Sequence, residues 1–131
     1  MLAEQTNGGY AMRKLLLIAG LLVSSACFAS DSSVIMAEIL IDLNHFPTED
    51  DKSYLSEIAE DPNSSADEKA LAGIISRIEH KPNDADAAAL TAMINSKKST
   101  AEVKTLARAI QSINHKPSPE SVAELEVIVD N

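Results

Sequence analysis

The chain has 131 residues and a formal net charge of −9, with 20 acidic side chains against 11 basic ones. That balance, with Lys97 and Lys98 the only adjacent basic pair beyond residue 30, excludes counterion-release binding to nucleic acid or anionic lipid, which needs clustered Lys and Arg. Tryptophan is absent, which speaks against an aromatic ligand pocket.

Residues 1–11, with Glu4 and two glycines, do not resemble a charged leader and read as an extension upstream of a start at Met12. Residues 12–29 have the order of a secretory signal peptide. Arg13 and Lys14 precede an apolar run from Leu15 to Val23, and small residues ending in Cys27, Phe28 and Ala29 precede Ser30. Cleavage is expected after Ala29, which sends the chain to the periplasm or the medium. The run is shorter than the about 20 residues a bilayer span needs, so no membrane span is expected. An alternative uses Cys27 as a lipoprotein anchor, although Ser24 stands where such motifs carry leucine. If Ala29 is the cleavage point, the exported chain has no cysteine, and disulfides and Cys-ligated zinc are excluded.

The remaining residues, 30–131, repeat with a period of 35. Residues 64–96 and 99–131 share 12 identities in 33 pairs, and the first copy keeps Ala37, Ile39, His45, Pro47, Asp51 and Leu55 in register. A period of this size belongs to stacked helical repeats. Each copy opens with an apolar stripe at i, i+3, i+4 and i+7, formed by Met36, Ile39, Leu40 and Leu43, by Leu71, Ile74, Ile75 and Ile78, and by Leu106, Ala109, Ile110 and Ile113. A second helix follows each His-x-Pro turn, carrying Leu55, Ile58 and Ala59, or Leu90, Met93 and Ile94, or Leu125, Ile128 and Val129. Capping boxes are expected at Ser64 with Asp67 and at Ser99 with Glu102. Thr48, Asn83 and Ser118 are expected to cap the second helices. The reading is an all-α domain of three helical hairpins, about 32–60, 65–96 and 100–130, stacked as a short right-handed α-solenoid. Its layout resembles tetratricopeptide or HEAT repeats, without the tryptophan, glycine-tyrosine and phenylalanine signature of the former.

His45, His80 and His115 fall on the period and are the chain's three histidines. Each ends a first helix, where an imidazole can bond orphan carbonyls, so a helix-capping role is expected. A metal site is not. Stacked helices lie about 8–10 Å apart and Zn–N bonds are about 2.1 Å, so three residues on an open ladder do not converge. Asp61, Asn63 and Ser65 begin like a calcium loop, but Ala66 and Ala72 replace its glycine and glutamate, and helix capping is expected there instead. Acidic pairs such as Asp84 with Asp86, or Glu124 with Glu126, do not face one another and read as solvated or first-turn charges. No cofactor is expected.

Phe46 stands where the other copies have Lys81 and Lys116. It is either a lid folded over an open edge against Tyr54 or, with Tyr54, an apolar anchor rimmed by Glu49, Asp50 and Asp51. The function expected is that of an exported, non-catalytic interaction or scaffold module for a protein or peptide with a basic surface. The alternatives are an envelope lipoprotein with a structural role and a hydrolase using Asp and Glu side chains. Intact mass of protein from the native envelope checks the address: the chain should begin at Ser30, and retention of residues 13–29 or a diacylglycerol on Cys27 would contradict that.

Overall fold

A computed structural model describes residues 30–131, so the signal peptide, its cleavage point and Cys27 lie outside the described residues. The described chain forms six helices and no strand. These are α1 (Asp31–Asp42), α2 (Glu49–Glu60), α3 (Ala66–Ser76), α4 (Asp84–Asn95), α5 (Ala101–Gln111) and α6 (Pro119–Asp130). None among the described residues is long and apolar enough to cross a membrane.

Helices of 11 or 12 residues are marginal alone in water, so their ends and their packing must hold them. The ends repeat as strictly as the stripes do. Ser30, Ser65 and Thr100 cap the first helices, each accepting the N–H three residues on. Thr48, Asn83 and Ser118 cap the second helices in the same way, as their sequence positions led us to expect. Thr48 with Asp51, and Ser65 with Glu68, close reciprocal capping boxes. The box expected at Ser64 is therefore displaced by one residue, and the one expected at Ser99 becomes a simple cap at Thr100, whose N3 residue Val103 has no carboxylate to return a bond. Starting one residue later lets the Glu68 carboxylate accept from the Ser65 N–H and also from the Ser30 hydroxyl of the preceding copy. It also frees the other two serines to reach backwards: Ser64 Oγ lies 3.3 Å from Ser32 Oγ, and Ser99 Oγ donates to Asp67 Oδ2 at 2.7 Å.

Every apolar residue of the three expected first-helix stripes is buried. In the second helices Leu55, Ile58, Leu90, Met93, Leu125 and Ile128 are buried, while Ala59, Ile94 and Val129 are partly buried against the same core. How the copies are joined differs from the open stack expected. The first helices α1, α3 and α5 touch one another pairwise, and each second helix packs on the first helix of the next copy: α2 on α3, α4 on α5 and, closing the set, α6 on α1. The equivalent Ala37, Ala72 and Ala107 of the three first helices are all essentially inaccessible, and small buried side chains allow helices to approach closely. An open stack would leave α1 and α6 each with one uncovered face, whereas here Met36, Leu40 and Leu125 are fully buried.

This closure makes the last helix as consequential as the middle one. Leu71→Ala should cost about 2–5 kcal/mol in chemical denaturation, and Leu125→Ala in α6 a comparable amount. A midpoint unmoved by Leu125→Ala would mean that α6 is a loosely held end.

Candidate functional site

Between the two helices of each copy the chain turns within a few residues. Leu43, Ile78 and Ile113 are buried just before the turn, and Pro47 and Pro117 are buried just after it, with Pro82 partly so. Proline also holds the residue before it in extended geometry. The intervening histidine is thus pinned from both sides. His45, His80 and His115 have φ of 75°, 72° and 76°, the only positive values among the described residues. In the first two copies the N–H after the histidine bonds the carbonyl before it, Phe46 to Asn44 at 3.0 Å and Lys81 to Glu79 at 2.8 Å, which makes a γ-turn with positive central φ. In the third copy Asn114 N–H instead donates to the Lys116 carbonyl at 3.1 Å.

These turns meet. His80 N–H donates to the His45 carbonyl at 2.8 Å, His115 N–H to the His80 carbonyl at 2.6 Å, and His45 N–H to the His115 carbonyl at 2.6 Å. The three bonds form a closed cycle, one residue from each copy. Their side chains stay together on the same side. Ring centroids lie 5.2 Å apart for His45 and His80, 4.8 Å for His45 and His115, and 4.9 Å for His80 and His115. One ring nitrogen of each falls within 4.8 Å of the others. His45 is half-buried, and His80 and His115 are exposed.

This geometry departs from the ring-to-carbonyl bonding and from the separation that the sequence led us to expect. Their rings do not reach back to the helix carbonyls: Nδ1 of His45 is 2.8 Å from Asn44 Oδ1, and Nδ1 of His115 is 3.2 Å from Asn114 Oδ1. The last helical turns are closed by backbone bonds instead, such as Leu43 N–H to Leu40 O and Ile113 N–H to Ile110 O. The claim that equivalent histidines cannot converge assumed an open ladder, and closure of the copies removes that premise. Holding a non-glycine residue at positive φ costs on the order of 1–3 kcal/mol, while a backbone hydrogen bond contributes a net about 0.5–1.5 kcal/mol. Glycine would serve the backbone better at all three positions.

Phe46 is the first copy's departure on this face. It is 60% exposed and lines a groove with Lys52, Arg77, Ile78, Glu79 and His80, so it does not seal the core as a lid would. Tyr54 is half-buried against the core, away from the role of an exposed anchor. Glu49 and Asp50 are exposed on the first turn of α2, with Glu49 paired to Lys52 at 3.0 Å. Asp51 is committed to the capping box, where its Oδ2 accepts from Thr48 N–H at 2.9 Å. The calcium-like stretch resolves as caps, Asp61 ending α2 and accepting from Asn63 N–H at 2.8 Å, Ser65 starting α3.

One polar cluster was not legible in the sequence. Asp86, read there as a solvated first-turn charge, is buried, and Arg77 clamps it as a fork, Nε to Oδ2 at 2.9 Å and Nη2 to Oδ1 at 2.7 Å. Asn83 Nδ2 donates to the same carboxylate at 3.0 Å, and Arg77 Nη1 donates to the Gly73 carbonyl at 2.9 Å. The hydrogen bonds to Asp86 raise the Arg77 guanidinium above its ordinary pKa. The cluster ties the end of α3 to the start of α4 directly behind the His80 turn. No protein-family model matches the chain, and no curated protein and no solved structure does either.

Loss of the clamp separates buried from solvated acids. Asp86→Ala should lower the unfolding free energy by about 1–3 kcal/mol, whereas Asp84→Ala, at an exposed site two residues earlier, should stay within about 0.5 kcal/mol.

Proposed function

We propose that the chain is an exported, non-catalytic helical-repeat protein that acts as an interaction module, docking another protein or peptide on the face that carries the three turns. The observation that carries this reading is Phe46. It is a large aromatic side chain left 60% exposed where its repeat equivalents are lysines, at the mouth of a groove shared with the second copy. Aromatic side chains in such settings are the common anchors of protein interfaces. Lys52 and Arg77 line the same groove, but each is already paired within the chain, to Glu49 and Asp86. Asp50 and the other exposed acids of α2 then set the local sign, in a chain whose net charge is −9. A partner with an apolar side chain in basic surroundings fits this combination. Export rests on the signal-peptide pattern of residues 12–29.

The test uses one position twice. A photoreactive phenylalanine analogue at position 46 should yield a defined adduct in envelope extract, and Phe46→Lys, which restores the residue of the other copies, should abolish capture of that adduct's protein. The same substitution should change stability by no more than about 0.5 kcal/mol. A larger loss of stability would make Phe46 a packing residue, and absence of any adduct would remove the anchor.

A further inference from the structure

We infer that His45, His80 and His115 form a three-histidine site for a divalent transition metal of the zinc class. All of the chain's histidines occur at this one place, one from each copy. Each sits at a positive φ that glycine adopts without strain, so the backbone alone gives no reason for histidine at all three positions. The side chains are what the three positions have in common.

The spacing suits ligation. Three nitrogens no more than 4.8 Å apart share a point within about 2.8 Å of all of them, and Zn–N bonds are about 2.0–2.1 Å, so each imidazole has to close by less than about 1 Å. The cycle of backbone bonds fixes the three Cα positions, and small side-chain rotations supply the rest. Tautomers are prepared as well. The Asn44 and Asn114 amide oxygens accept from Nδ1 of His45 and His115, which puts the hydrogen on Nδ1 and leaves the Nε2 lone pair for a metal. Partners of this kind are how ligating histidines are oriented in metal sites. An all-imidazole donor set selects zinc, copper or nickel over calcium and magnesium, which require oxygen ligands. With His80 and His115 exposed, a fourth position faces solvent and is open to water or to a donor from another molecule.

Calorimetric titration of the untagged full chain with zinc chloride should show one ion per chain with a Kd of about 1 μM or tighter. Cobalt in place of zinc should give the intense visible absorption of a four-coordinate ion. His80→Asn and His115→Asn keep a side chain that tolerates positive φ, so both should fold; each should weaken zinc binding by about 100-fold or more and remove the zinc-induced rise in melting temperature. Asn44→Ala should weaken binding by about 10- to 100-fold through ring orientation alone. The same affinity in His80→Asn and His115→Asn, or displacement of zinc by excess calcium, would place the ion on surface carboxylates and overturn the site, as would failure of the wild-type chain to bind. If the histidines only pack on one another, zinc will not move the melting temperature of the wild-type chain.

Discussion

The cycle of backbone hydrogen bonds among His45, His80 and His115 is the constraint on which the rest of the structure depends. Each of the three residues donates to one copy and accepts from the other, so the cycle exists only when all three copies are in place. Closing it brings α6 onto α1, and that contact disposes of the problem every short repeat array faces. A linear stack exposes an apolar face at each end and needs dedicated capping repeats. Here the two ends cover each other, and Met36, Leu40, Leu125 and Ile128 are buried without any capping segment among the described residues. About 100 residues would otherwise bury a modest core for their size, and residues 30–131 contain no cysteine with which to staple one.

The repeat unit was legible in the sequence because it is local physics. A stripe at i, i+3, i+4 and i+7 reports the buried face of a helix wherever that helix is placed, and all three first-helix stripes are buried. Second-helix caps at Thr48, Asn83 and Ser118 were readable for the same reason, since a cap is satisfied within three residues. Ser64 and Ser99 misled by one position. Two adjacent hydroxylic residues compete for each cap, and the choice between them is settled by bonds to the preceding copy, which lie 32 residues away.

Closure was not legible, because a period specifies the unit and not the angle between units. An open stack and a closed set of three bury the same stripe. The difference lies in which helices meet, and small buried residues such as Ala37, Ala72 and Ala107 would suit any tight helix contact. The meeting of the three histidines was missed for the same reason. Their convergence follows from closure, and their positive φ has no sequence signal, because histidine is tolerated in that region without being required there. Arg77 and Asp86 stand nine residues apart across a turn, a separation at which no local rule pairs them.

Symmetry and its loss divide the labour of the molecule. Positions that define the unit are kept in all three copies: Ala37, Ala72 and Ala107 on the first helices, the three histidines in the turns, and Pro47, Pro82 and Pro117 two residues after them. Positions around the histidines are not. Asn44, Glu79 and Asn114 precede them, and Phe46, Lys81 and Lys116 follow. Three equivalent turns therefore present one shared set of imidazoles inside a rim whose chemistry differs on each side. A ring of identical rims could receive a partner in three equivalent orientations. Phe46, on one side only, makes one of those orientations distinct, and it does so one residue from His45, in a groove whose lining includes His80. The two proposed functions of this face are then compatible in space: a partner anchored at Phe46 would sit in the groove that His80 also lines, next to the three imidazoles.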